Sequence, residues 1–372
     1  MLQLITRQPR RMLMTLDAVG GVWRYAMDLA MALAQQGVEI IFAGFGPQPN
    51  QAQCREAQAI GVLLWSDLPL DWTSESAEDL RDVPRAIAQM ARQYGVDLVH
   101  LNLPTQAAGL AVDCPVVAVS HSCVTTWFAW VRGQGLPSGW DWHFDLNRHG
   151  LMTADAIVTP SQAQADLLAR CYGPIGPIAV VHNAVRDDDH QMPTQRQNAV
   201  IAAGRWWDEG KNAATLDAVA ARIDLPVLAA GSCRSPQGDC FTFTHARELG
   251  ELAGGQVRAL LRTSQIFVSP SIYEPFGLAA LEAAHAGTPM VLADIPTYRE
   301  LWDGAALFAL PHDPDGFAEA IARLATDARL RRRLVARARV RARGFTPERQ
   351  AAAMLALYGG LMTRAQLNTH GG

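Results

Sequence analysis

The chain predicts an α/β protein of two doubly wound domains, each built on a parallel sheet, and three observations predict it. Short β-branched apolar runs alternate from end to end with longer runs of helical period, the pattern of βαβ units. At 372 residues the chain exceeds what one ordinary core supports, and two domains are expected. A polar stretch without periodicity, RDDDHQMPTQRQN at 186–198, separates two halves that each carry the alternation.

In the first half, strands are expected at 12–16, 38–44, 97–101, 115–120, 155–159 and 178–182. Between the first two, RYAMDLAMALAQQG sets Tyr25, Leu29, Ala32 and Leu33 at helical spacing and stops at Gly37. The second half restarts with strands at 199–203, 226–230, 265–269, 289–293 and 305–310. Residues 316–343 and 346–364 read as helices, the second opened by Thr346 as a cap and Pro347 in its first turn. The expected domains are 1–190 and 191–345. Ligands of open parallel sheets bind outside the carboxyl ends of the strands, so two such domains facing each other would bind across a cleft.

Composition narrows the partners. Hydrophobic residues make up 49% and charged residues 18%, with 30 Gly and 21 Pro, which excludes disorder and collagen-like repeats. A net charge of -4 gives no global attraction to phosphate backbones, so nucleic acid is not an expected partner. The basic run RLRRRLVARARVRARG at 329–344 sets Leu330, Leu334 and Ala338 on one stripe with arginines elsewhere, which fits an ordinary surface helix. Peripheral contact with an anionic membrane surface is its second reading. Six cysteines without zinc spacing read as reduced thiols of a cytosolic protein. Neither a signal-peptide pattern nor an uncharged apolar stretch of membrane-spanning length occurs, so a cytoplasmic protein is expected. Asp187, Asp188 and Asp189 read as a solvated linker run rather than a metal cluster.

The segment SPSIYEPFGLAALEAAHAGTPMVLAD at 269–294 carries most of the chemistry. A strand ends near Ser271, a loop carries Glu274, Pro275 suits a first helical turn, and Gly277 leaves bare backbone where the helix begins. A helix start with free N–H groups is an anion site, and Glu282 follows eight residues after Glu274, so two carboxylates would flank a phosphate-bearing ligand. The alternative is that Glu274 complements the helix dipole and Glu282 lies on a solvated face. In GRWWDEGKN at 204–212, Arg205 and Lys211 follow a strand end, where a leaving diphosphate needs neutralising charge; a solvated loop is the competing reading.

Gly20 and Gly21, in DAVGGVWRYAMDLA, allow another molecule close to the backbone at a strand-to-helix turn, although a tight turn explains them equally. This is not a dinucleotide fingerprint, since no third Gly follows at the right offset. His121 follows the strand PVVAVS at its carboxyl end. After it, Trp127, Trp130, Trp140 and Trp142 form a tryptophan-rich loop that would stack on an acceptor sugar or else belong to the core.

Together these segments resemble a retaining glycosyltransferase of family 4 with the GT-B fold of two Rossmann-like domains. The resemblance runs in order through GGVWRYAMDLAMALAQQGVEI, VDLVHLN, ADAIVTPS, VVHNAV, GRWWDEGKN and PSIYEPFGLAALEAAHAGTP, of which the last is the specific one. It implies that Glu274 approaches the transferred sugar and Glu282 the nucleotide ribose, while Phe276, Gly277 and Leu278 offer backbone groups to sugar and phosphate. Arg205 and Lys211 would hold the diphosphate, Gly21 would lie against the donor, His121 would sit by the reacting sugar, and Gly20, Trp127 and Trp130 would meet the acceptor. Residues 250–252 would frame the base, ahead of a helix within 250–265, and the last helix would return to the first domain.

The activity implied is hexosyl transfer from a UDP-, GDP- or ADP-linked sugar to the hydroxyl of a glycan or glycolipid, without cofactor or metal, in cell-surface polysaccharide assembly. Membrane contact would be peripheral, at the inner face. A nucleotide-sugar epimerase of the same fold and a non-catalytic nucleotide-sugar or glycan-binding protein are the alternatives. The chain departs from the resembled pattern at Gly37, Val38 and Glu39, where Gly-His-Glu is common, a structural change only.

Overall fold

The computed structural model describes residues 8–186, 196–235 and 238–370, with side chains described to 365. The chain forms two compact units, Met1–Ala184 with Pro347–Gly372, and Val185–Thr346. The domain boundary expected at 190/191 and the aspartates 187–189 lie outside the described residues.

The first unit holds a seven-stranded sheet of β1 (Arg11–Leu16), β2 (Glu39–Gly44), β3 (Val62–Trp65), β4 (Leu98–Leu101), β5 (Val116–Val119), β6 (Ala156–Thr159) and β7 (Ile178–Val180). All pairings are parallel, in the order β3-β2-β1-β4-β5-β6-β7. Side chains alternate across a strand, and β1 shows the consequence: Met12 and Met14 enter one apolar cluster while Leu13 enters another on the opposite face. A strand covered on both faces must be apolar throughout, which is why RMLMTL was readable. Its helices are α1 (Gly21–Ala34), α2 (Gln51–Gln58), α3 (Val83–Tyr94), α4 (Val124–Trp127), α5 (Asp141–Thr153) and α6 (Gln162–Tyr172).

The second unit holds β8 (Gln197–Ala203), β9 (Val227–Ala230), β10 (Arg247–Gly250), β11 (Ser264–Ser269), β12 (Met290–Ala293) and β13 (Leu307–Ala309), again all parallel, in the order β10-β9-β8-β11-β12-β13. Around it lie α7 (Ala213–Ala220), α8 (Gly254–Thr263), α9 (Leu278–His285), α10 (Pro296–Trp302), α11 (Pro314–Thr326) and α12 (Ala328–Ala342). The last helix, α13 (Pro347–His370), packs in the first unit, where Ala351, Met354, Tyr358 and Leu361 share a core with α1 residues Trp23, Tyr25 and Leu29.

Four readings change. The helix expected over 316–343 is two, because Asp327 breaks it: its side chain accepts from Leu330 N at 2.8 Å and caps a new start. The helix expected within 250–265 is shorter, since Gly250 ends β10 and Ser264 opens β11. Strands β3 and β10 were not expected; both are sheet edges of four residues, and the RELG of β10 has no apolar alternation. Pro275 precedes α9 rather than standing in its first turn, because Gly277 at φ 88 is the N-cap. On α12, three of the arginines serve the fold: Arg331, Arg337 and Arg341 donate to the carbonyls of Leu324, Gly304 and Leu301. Among the described residues no helix is long and apolar enough to cross a membrane.

Candidate active site

In the second unit the loop after β8 is built from the backbone outward. Gly231, at φ 119 after β9, lies so close to Gly204 that a Cβ there would meet Gly204 O at 1.9 Å. The buried Asp208 accepts from Gly210 N at 2.9 Å and closes the short turn Glu209–Lys211, and it also accepts from Arg205 Nη2 at 3.3 Å. Arg205 places its guanidinium over the Trp207 ring, 5.4 Å from the centroid. Gly210 O accepts from Ile272 N and Tyr273 N at 2.9 and 3.2 Å, which fastens this loop to the segment following β11.

Asn212 completes the scaffold. It is the one described non-glycine residue with positive φ, at 60°, and from there its Nδ2 donates to Pro270 O at 3.0 Å and Pro311 O at 2.7 Å. Three segments are thereby locked, and Lys211 Nζ comes to stand 2.6 Å from Glu274 Oε2, with side chains 16% and 15% exposed. A pair this shielded loses part of its hydration, so each charge depends on the other.

Glu274 sits just ahead of α9. The chain is anchored there by Phe276, buried and edge-on to Phe345 at 5.6 Å. Gly277 is required by its φ of 88° and by space, because a Cβ would meet Tyr298 Cε1 at 2.7 Å. That tyrosine is buried with its hydroxyl 2.7 Å from Ser269 Oγ, and burial, then the Glu274 charge, holds its phenol protonated. No side chain caps α9, and an uncapped helix start, here at Leu278, is the kind of place that attracts an anion. Glu282, one turn beyond Leu278, lies half-buried on the same helix face.

In the first unit the turn after β1 is bare. Gly20 is the uncapped N-cap of α1 at φ 80, Gly21 opens the helix, and both are exposed. His121 lies after β5, half-buried, with Nε2 2.9 Å from Asn102 Oδ1 and the Tyr25 ring edge-on at 4.3 Å. Burial, and then the neighbouring His100, push its pKa down to about 3. His100 is fully buried, which pushes it down to about 4; its Nδ1 is 2.8 Å from the Tyr358 hydroxyl of α13. Trp127 and Trp130 are half-buried rather than core, and a guanidinium lies over each: Arg132 at 5.3 Å from the first, Arg170 at 5.8 Å from the second.

Two family models match, one described as Glycosyltransferase Family 4 over residues 19–189 and one as Glycosyl transferases group 1 over residues 244–341. The chain belongs to the family 4 glycosyltransferases. This glycosyltransferase is 24% identical over 371 residues to a glycogen synthase of Mycobacterium tuberculosis, covering 87% of this chain and 86% of that one. It is 27% identical over 396 residues to a D-inositol 3-phosphate glycosyltransferase of Xylanimonas cellulosilytica, covering 91% of each. In fold it is similar to sucrose-phosphate synthase of Thermosynechococcus elongatus, with a TM-score of 0.78 at 19% identity over 96% of this chain and 100% of that one. It is also similar to Anabaena HepE in complex with UDP-glucose, with a TM-score of 0.73 at 16% identity over 93% and 99%. The chain thus has the GT-B fold, with one parallel sheet in each unit.

Of the residues expected to act in this glycosyltransferase, Lys211 and Glu274 are in direct contact, Arg205 shares the Lys211 loop, and Gly277, Leu278 and Glu282 share the start of α9. Three further residues were not foreseen: Asp208 and Asn212, which set the cationic loop, and Asn102, which holds His121. Asn102 stands at a strand end in VDLVHLN, but its partner is visible only once β4 and β5 are known to be neighbours.

Proposed function

We propose that this enzyme transfers a hexosyl group from a nucleotide-diphosphate sugar to an acceptor hydroxyl with retention of anomeric configuration. The observation that carries the reading is the Lys211–Glu274 contact at 2.6 Å beside the uncapped start of α9. A cation, bare amides and a carboxylate in one place suit a donor with phosphate at one end and sugar hydroxyls at the other. The UDP-glucose bound by the similar HepE, and the likeness to a glycogen synthase, support a nucleotide-sugar donor.

As the bond from the anomeric carbon to the diphosphate oxygen breaks, negative charge grows on the leaving group, where Lys211, Arg205 and the Gly277 and Leu278 amides would stabilise it. The acceptor oxygen bonds to the anomeric carbon from the same face, and its proton passes to the departing phosphate oxygen. Glu274, already paired with Lys211, orients sugar hydroxyls rather than attacking. Glu282 would take the ribose, His121 the reacting sugar, Gly21 the donor, and Gly20, Trp127 and Trp130 the acceptor. Fixed cations make a metal unnecessary. A glycan or glycolipid acceptor in cell-surface assembly, in the cytoplasm with peripheral membrane contact, completes the reading.

The test is nucleoside diphosphate release from UDP-, GDP- and ADP-sugars with an acceptor panel in EDTA, with product configuration read by NMR. Acceptor-dependent release and a retained anomer are expected. An inverted anomer, or conversion of donor alone into an epimer, would overturn the reading.

A further inference from the structure

The amide of Asn102 has only one workable orientation. One of its atoms lies 2.5 Å from Thr15 O, and because a carbonyl only accepts, that atom is Nδ2. The backbone supports the same placement, with Asn102 N donating to Thr15 Oγ1 at 2.9 Å and that hydroxyl donating to Gln106 Oε1 at 2.6 Å. Oδ1 must then face the two imidazoles, 2.9 Å from His121 Nε2 and 3.3 Å from His100 Nε2. An amide oxygen cannot donate, so His121 carries its hydrogen on Nε2.

The depressed pKa of His121 keeps the ring neutral at ordinary pH. In a neutral ring with Nε2–H, Nδ1 is a bare acceptor. It has no hydrogen-bond partner among the described residues. The same logic extends backward: with Oδ1 at 3.3 Å and the Tyr25 hydroxyl at 3.4 Å, His100 turns Nε2–H toward these oxygens and accepts the Tyr358 hydroxyl on Nδ1 at 2.8 Å. Thr15, Asn102, His100 and Tyr358 are all buried, so this orientation is held away from water.

We propose that Asn102, backed through His100 by Tyr358, is a positioning residue that fixes the tautomer of His121, so that its Nδ1 accepts a hydrogen bond from a sugar hydroxyl. This rests on the placement of His121 beside the transferred sugar. The opposite tautomer would set an N–H against that hydroxyl and leave Oδ1 facing a lone pair. His121 therefore orients the sugar as an acceptor and does not supply a proton.

The test reads the tautomer directly, by two-bond 1H–15N correlation on histidine-labelled wild-type protein, with the His121 signals assigned by their loss in His121→Gln. A bare Nδ1 and a protonated Nε2 are expected at neutral pH; a protonated Nδ1 overturns the proposal whether or not any donor is turned over. Asn102→Ala is expected to give mixed tautomers and a kcat lower by roughly tenfold, with donor KM changed by less than about threefold. An unchanged single tautomer in that variant also overturns it. Should Asn102→Ala fail to fold, Tyr358→Phe, which deletes one hydroxyl, is expected to shift the His100 and His121 nitrogen signals in the same sense, and unmoved signals contradict the coupling.

Discussion

Lys211 and Glu274 each leave only 16% and 15% of the side chain exposed, so neither charge is freely hydrated and each is held in place by the other. Glu274→Gln keeps the shape and one oxygen toward Lys211 but removes the charge. It is expected to lower kcat/KM by at least about tenfold in a coupled assay of nucleoside diphosphate release, and to lower the unfolding temperature because the shielded Lys211 charge loses its partner. Full activity at unchanged donor affinity would remove the role given to this carboxylate. His100 and His121 contribute to the pH dependence of the fold. Both are pushed below the ordinary value of 6.5, to about 4 and about 3, so the unfolded chain binds more protons below pH 6.5 than the folded chain does. Stability from these rings is complete above pH 6.5 and is lost as pH falls toward 4. Denaturant unfolding at successive pH values is expected to show that decline, and His100→Gln to flatten it; a variant with the wild-type slope would contradict the assignment.

At the scale of elements, the glycine before α9 is a point where local conformation and site coincide. Gly277→Ala forces a side chain into positive φ and against the Tyr298 ring, 2.7 Å from Cε1. A cost of about 1–3 kcal/mol in denaturant unfolding and a greater loss in donor binding are expected, since the amide-bearing turn must shift. Wild-type donor affinity in a stable Gly277→Ala protein would show that the turn does not hold the phosphates. The core strands were legible because strands covered on both faces are apolar throughout, as in the VVAV of β5. The edge β10 was not, because its RELG has no such run, while the VLLW of β3 is apolar but only four residues long. The break at Asp327 was missed because apolar period continues across it while a single side-chain cap divides it. The placement of Glu274, Lys211 and Arg205 in loops after strands was readable. Asn102 and Asn212 were not, since their partners at Asn102–His121 and Asn212–Pro311 are brought near only by sheet order and loop closure.

At the scale of the whole chain, the two units share one construction, a parallel sheet flanked by helices, with the candidate residues placed after the carboxyl ends of strands. The return of α13 to the first unit was foreseen, but its link through Tyr358 to His100 was not, because a tyrosine on an apolar helix face reads as core. The second unit carries the cationic loop and the start of α9, where the proposed chemistry begins with capture of a diphosphate. Calorimetry of UDP, GDP and ADP binding to wild type, Arg205→Ala and Lys211→Ala measures that capture. At least one of the three is expected to bind wild type and to lose about 30-fold or more in each variant, with Arg205→Ala unfolding at the wild-type temperature. Equal affinity in all three proteins would contradict it.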